Sequence, residues 1–213
     1  LVLEMHYLRD LLDQGAFDTI YHEHVSYWAL QPMKSLFERF GMEITNAERL
    51  PLHHGQLRVF VQRSGEGTVL PAVAEILADE KVHRIGEFQT YERFADAARR
   101  IKEKLSQTLK ELTEQGKTVV GYGAPAKAST LLKFLGIDQN TVRYIVDRSP
   151  LKQGQYTPGL HVPIVHPERL LEDQPDYALL FSWNFVDEIL EQQSEYRSRG
   201  GKFILPVPEV KII

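Results

Sequence analysis

Four consecutive titratable side chains, Tyr21-His22-Glu23-His24, with Tyr27 close behind, form the strongest concentration of acid–base groups in the chain. An imidazole titrates near neutrality and can take a proton from carbon or oxygen, and a neighbouring carboxylate can orient it and stabilise its cation. On a strand, His22 and His24 share one face and Tyr21 and Glu23 the other; in a turn that parity is lost. The residues alone leave open which pair converges, and they equally suit a solvated surface loop. A zinc site needs more ligands than His-x-His supplies, and no further ligands are evident, so no metal is expected.

A second constellation is Gly121-Tyr122-Gly123-Ala124-Pro125-Ala126-Lys127. It follows an apolar run and opens a helical pattern, so its glycines permit a tight turn and its helix start offers free N–H groups to an anion. Lys127 falls in the first helical turn, where a cation opposes the helix dipole and needs another reason to be present. Asp147 lies 24 residues beyond Gly123, near the spacing of a ribose-binding acid, but the third fingerprint glycine is missing. A plain structural turn explains the same residues. A third group, Asp147-Arg148-Ser149-Pro150-Leu151-Lys152-Gln153-Gly154, ends the next strand, where α/β proteins bind ligands, and Arg148 and Lys152 suit phosphate. Ser182-Trp183-Asn184 ends the strand after that. Trp183 suits a base or a sheet cap, and Asn184 a ligand or a helix N-cap.

The elements that position these groups follow from periodicity. Leu1–Leu3 read as the end of a buried strand, Tyr7–Leu12 as a short helix closed by Gly15, and residues 17–27 as loop with some strand. Gln31-Pro32 opens a helix with apolar residues at Met33, Leu36, Phe37 and Phe40, stopped by Gly41. Met42–Leu50 and Gln56–Gln62 alternate as antiparallel strands, joined by a turn containing His53 and His54. From Val69 the pattern is helical, and Tyr91–Gln115 forms a long connecting helix with a stripe through Phe94, Ala98, Ile101, Leu105, Leu109 and Leu112. Beyond Gly116, strands at 118–123, 142–146, 177–181 and 202–205 alternate with helices at 124–135, 168–171 and 185–199. That alternation predicts an α/β fold, with a mainly parallel, Rossmann-like sheet and flanking helices.

Composition narrows the classes. The chain has 213 residues, 43% hydrophobic and 25% charged, with a net charge of −4. It is therefore a folded protein without the basic footprint of a general nucleic-acid binder. Without cysteine it has no disulfides, no thiolate zinc site and no cysteine nucleophile. No apolar run suits a membrane span and the first residues do not form a signal peptide, so neither membrane nor nucleic acid is expected as a partner and a cytoplasmic location is expected.

Taken together, these strings resemble the nucleotide-sugar C-methyltransferases, which methylate deoxysugars with S-adenosylmethionine. The similarity begins at Phe17-Asp18-Thr19-Ile20-Tyr21-His22-Glu23-His24. It continues in order through 121–127, 146–154, Pro158-Gly159, Pro175-Asp176-Tyr177, Trp183-Asn184-Phe185 and Gly200-Gly201-Lys202-Phe203, so it covers essentially the whole chain. The resemblance implies that His24 is the general base that removes a proton from the sugar carbon beside a keto group, assisted by Glu23 and Tyr21. His22 has the same chemistry two residues away, and only the family match favours His24. It also implies that a second α/β domain closes over a nucleotide-diphosphate sugar, with Gly121, Tyr122, Gly123, Ala124, Lys127, Asp147, Arg148, Lys152, Trp183 and Asn184 at the contacting edge.

Three departures stand out. The family's cysteine-rich zinc module is absent, as is the Gly-rich turn that holds S-adenosylmethionine. Its His-Gly-Gly-Ser turn reads His53-His54-Gly55-Gln56 here. The expectation is thus the C-terminal part of such an enzyme. Residues 1–83 end a truncated methyltransferase-type α/β domain, 84–116 connect, and 117–213 form a C-terminal Rossmann-like domain. An N-terminal methyltransferase half would be the missing partner. S-adenosylmethionine would be held mostly by residues outside this chain, which alone should bind none and be inactive. The alternatives are a non-catalytic nucleotide- or nucleotide-sugar-binding module and, more distantly, a dehydrogenase-like Rossmann protein.

Overall fold

A computed structural model describes residues 1–51 and 55–213. Leu52, His53 and His54 lie outside the described residues, and with them the expected turn at His53 and His54. Contacts divide the chain into two compact units: unit 1 holds Leu1–Phe17 and Glu23–Asp96, unit 2 holds Asp18–His22 and Ala97–Ile213.

Unit 1 is built on a three-stranded antiparallel sheet. β1 (Val2–His6) and β2 (Met42–Leu50) flank β3 (Gln56–Arg63), with Leu3 opposite Val59 and Ala47 opposite Val59 on the other side. The alternation in β3 buries Leu57, Val59 and Val61. They pack with Tyr7, Leu30, Met33, Ile44 and Val73 into one core. Helices α1 (Leu8–Asp13), α2 (Leu30–Glu38) and α3 (Pro71–Val82) complete the unit. Three expectations are corrected here. β1 is an edge strand, and Leu1 and Val2 are exposed rather than buried. Residues 17–27 contain no strand: Phe17–Thr19 form a 3-10 turn and 21–23 a bend and turn. Phe40 falls past the end of α2 and is exposed.

The chain passes from unit 1 to unit 2 within α4 (Phe88–Glu114), whose stripe Ala98, Ile101, Leu105, Leu109 and Leu112 is buried as its spacing requires. Unit 2 then lays down β4 (Val119–Tyr122), α5 (Ala126–Leu135), β5 (Ile145–Val146), β6 (Ile164–Val165), α6 (Arg169–Asp173), β7 (Tyr177–Leu180), α7 (Val186–Gln192), α8 (Ser194–Ser198), β8 (Lys202–Leu205) and β9 (Lys211–Ile212). The sheet order is β6-β5-β4-β7-β8-β9, parallel except for the antiparallel edge β9. The chain leaves β4 first toward β5 and β6, then returns to its other side at β7, so β4 lies at the topological switch point of a Rossmann-like sheet.

Three features differ from expectation. β5 is two residues long instead of five. β6 and β9 were not anticipated, being too short for periodicity to reveal. The single helix expected over 185–199 is broken: a 3-10 turn (Trp183–Phe185) leads into α7, and the chain interrupts at Gln193, whose side chain turns to donate to the Tyr122 hydroxyl at 3.1 Å.

Candidate functional site

The Tyr21-His22-Glu23-His24 string sits on a turn, so strand parity does not govern it, and the division between units falls between His22 and Glu23. Within unit 1, the half-buried His24 ring lies against His6, with centroids 4.3 Å apart and planes at 50°. Tyr27 meets His24 edge-on at 6.1 Å. His6 escaped sequence reasoning because nothing in the order of residues links it to the string. It arrives through backbone pairing: Leu8 N–H donates to the Trp28 carbonyl at 2.9 Å and Tyr7 bridges Trp28, which draws the segment after His24 alongside the end of β1. Within unit 2, Tyr21 and His22 meet edge-on at 6.1 Å. His22 and Glu23 are exposed. Among the described residues, no three His, Cys, Asp or Glu side chains converge as a metal-binding set.

Three residues earlier than Tyr21, Asp18 is buried to 1% exposure. Its Oδ2 accepts the Trp183 indole N–H at 2.7 Å and lies 3.3 Å from the Lys127 Nζ. The Lys127 ammonium also stands 4.2 Å from the centroid of the Trp183 ring, a cation–π contact shielded from water. Burial pushes the Lys127 pKa down, and Asp18 opposes that shift. A lysine in the first turn of α5 is unfavourable to the helix dipole, and Asp18 supplies the charge that keeps it there. Lys127 and Trp183 therefore direct their polar atoms to the Asp18 segment, behind the sheet edge.

That edge is a cleft of about 270 Å³ at the carboxyl ends of β4, β5 and β7, lined among others by Tyr122, Gly123, Asp147, Arg148, Ser182 and Phe185. Gly123 has φ +81°, and a Cβ there would lie 2.2 Å from the Ser182 Oγ. Gly121 is equally constrained: its Cβ would strike Phe181 and Ile145 at 2.6 and 2.7 Å. Both glycines are required by packing, whatever binds nearby. Asp147 clamps the turn. One carboxylate oxygen accepts the Ala124 N–H at 2.7 Å and the other the Ser149 N–H at 2.8 Å. Lys152 Nζ donates to the Ala124 carbonyl at 2.8 Å and lies 3.6 Å from Asp147. Arg148 is exposed; it donates to the Gln192 Oε1 at 3.2 Å and lies 3.7 Å from Glu188. Asn184 is half-buried in the 3-10 turn and does not cap α7, whose N-cap is Phe185 without a side-chain bond. The edge brings together Gly121–Ala124, Asp147–Lys152 and Ser182–Asn184 in unit 2. Each oxygen of Asp147, the acid at the spacing of a ribose-binding group, already accepts one backbone amide.

A separate cavity of about 790 Å³ in unit 1 is lined mainly by apolar residues, including Leu8, Pro32, Leu77, Ile85 and Tyr91. The carboxylate on its wall, Glu80, is already bonded to the Leu30 and Gln31 amides and the Tyr7 hydroxyl. No helix among the described residues is long and apolar enough to cross a membrane.

Comparison with known proteins agrees with this architecture. Residues 51–208 match the family described as the C-methyltransferase C-terminal domain. The chain is also 40% identical, over 212 residues, to the C-methyltransferase NovU of Streptomyces niveus; the match covers 99% of this chain and 50% of that protein, so the chain spans about half the length of the curated relative. On the extent of the family match, supported by a Rossmann-like sheet in unit 2, the chain belongs to the C-methyltransferase C-terminal domain family.

Proposed function

We propose that this chain is the C-terminal part of a sugar C-methyltransferase, that it carries the general base for methylation of a carbon beside a keto group, and that it binds a nucleotide-diphosphate sugar. Forming a carbon–carbon bond at such a position requires removal of a C–H proton, so a positioned base is the first need of the reaction. The observation that carries the reading is His24: a half-buried imidazole packed between His6 and Tyr27, on a string similar to the one that carries the family's base. In this reading the His24 imidazole takes the proton from the carbon, Glu23 and Tyr21 orient or stabilise the charge that develops, and His22 is the rival base. The methyl donor, S-adenosylmethionine, supplies an electrophilic methyl group and is bound mostly by residues outside this chain.

The nucleotide-sugar is proposed to lie along the unit 2 edge formed by Gly121, Tyr122, Gly123, Ala124, Asp147, Arg148, Lys152 and Asn184, with Lys127 and Trp183 behind it. Arg148 lines the cleft and Lys152 lies 3.6 Å from Asp147 on its wall, and both cations reach solvent, which favours a diphosphate there. A cytoplasmic setting and a preceding methyltransferase half complete the proposal. A non-catalytic nucleotide-sugar-binding module would use the same cleft without the base.

The test is His24→Ala in an enzyme that carries this chain behind its S-adenosylmethionine-binding half. Turnover is expected to fall by about 100- to 10,000-fold with nucleotide-sugar affinity preserved. Undiminished turnover would remove the catalytic reading and leave the binding module.

A further inference from the structure

We propose that Lys127 and Trp183 are positioning residues that hold the Asp18–His22 segment on unit 2 through the Asp18 carboxylate. The inference rests on the reading of the Tyr21–His24 string as catalytic. Three observations point the same way. Asp18 is 1% exposed although it lies on a connecting segment, where a carboxylate ordinarily faces water. Its two partners come from distant elements, the first turn of α5 and the 3-10 turn after β7, and the indole bond spans 165 residues of sequence. Each partner also has a contact with the other, the Lys127 ammonium over the Trp183 ring at 4.2 Å, so each of the three groups touches the other two.

The placement of that set links it to the cleft. Lys127 follows the Gly123–Ala124 turn by three residues, and Trp183 directly follows Ser182, whose Oγ stands against Gly123. Asp18 in turn precedes Tyr21 by three residues, and the Tyr21 N–H closes a turn on the Thr19 carbonyl at 3.1 Å. The groups that shape the cleft edge are therefore the immediate chain neighbours of the groups that hold the start of the string. A buried ion pair adds little net stability compared with apolar side chains of the same volume, but it admits few alternative geometries. That property suits a tie whose task is to fix one position of a loop.

Two variants separate this role from plain stability. Asp18→Asn with Lys127→Met removes both charges while keeping an acceptor for the indole; Trp183→Phe keeps a ring beneath the ammonium while removing the N–H. In the 213-residue chain, both should speed hydrogen exchange at the Tyr21 amide by about ten-fold or more and leave Val120 and Leu179 protected. In an enzyme carrying its S-adenosylmethionine-binding half, both should lower kcat by about ten-fold or more with KM for the nucleotide-sugar nearly constant. Lys127→Arg should recover more of kcat than Lys127→Met. Unchanged exchange at Tyr21 in both variants would overturn the tie. Faster exchange with kcat unchanged would uphold the tie and overturn the catalytic reading of the string.

Discussion

Glu80 in unit 1 and Asp18 in unit 2 are both carboxylates with almost no exposure, 3% and 1%, yet they answer different needs. Glu80 projects from α3 onto the start of α2, whose N-cap is Ala29 and so provides no side-chain cap. Its oxygens accept the Leu30 and Gln31 N–H groups and the Tyr7 hydroxyl. It thereby satisfies helix amides that would otherwise be orphaned, and adds negative charge where the helix dipole welcomes it. Burial and the nearby Glu80 charge together push the Tyr7 pKa far up, so the phenol stays a donor. Asp18 accepts from no backbone amide in the contacts described above; its partners are a lysine and a tryptophan side chain. A buried carboxylate facing backbone holds a secondary structure element, whereas one facing side chains of two other elements holds a loop in place. The loop in question is the one that leads into the acid–base string.

Substitution separates the two carboxylates. The largest loss is expected for Glu80→Ala, which leaves three donors without their acceptor at about 1–3 kcal/mol each. Denaturant unfolding should show the loss, and hydrogen exchange should rise first at the Leu30 and Gln31 amides. Next comes Lys127→Ala, which strands the Asp18 charge with only the indole N–H, at about 3–5 kcal/mol. Its exchange signature should fall on residues 18–22 and leave α2 protected. If each variant loosened both places, the two carboxylates would not be doing separate jobs.

The smallest effect sharpens the rule with a third carboxylate that is half exposed. Asp176 accepts the Thr118 N–H at 2.8 Å and its hydroxyl at 2.9 Å, with Lys117 at 3.0 Å, and these contacts, led by the backbone amide, hold its pKa down to about 2. A carboxylate depressed on folding stabilises the native state fully above its ordinary value, near 4, and that contribution is lost as pH falls through about 2. Asp176→Asn should therefore lower stability modestly at neutral pH, where the contribution is fully present, and flatten the acid side of the stability profile between those values, so that the variant and the parent converge in acid. An unchanged acid limb would contradict the assignment.

Much of the fold was legible in the residues, for physical reasons. Leu57, Val59 and Val61 alternate because one face of β3 meets a core, and the stripe on α4 recurs because one side of that helix is buried. Strand–helix alternation after Gly116 announced the parallel sheet, while Ile164–Val165 and Lys211–Ile212 are too short to carry any period. The candidate site was legible only in part. The string and the glycine turn stand out locally, but Asp18 reads as an ordinary loop acid, since its partners are set by tertiary structure. Lys127 in a first helical turn did signal an unmet need, and Asp18 is what meets it. His6 carried no signal, being placed by the pairing of Tyr7 with Trp28.

The role of His24 is tested most directly by following the proton itself. In deuterated water, an enzyme carrying this chain with its S-adenosylmethionine-binding half should exchange the acidic hydrogen of a nucleotide-bound keto sugar, read by NMR or mass spectrometry. His24→Ala is expected to abolish this exchange while His22→Ala retains it. Exchange that survives in His24→Ala and disappears in His22→Ala would assign the base to the other histidine; exchange that survives in both would contradict the account.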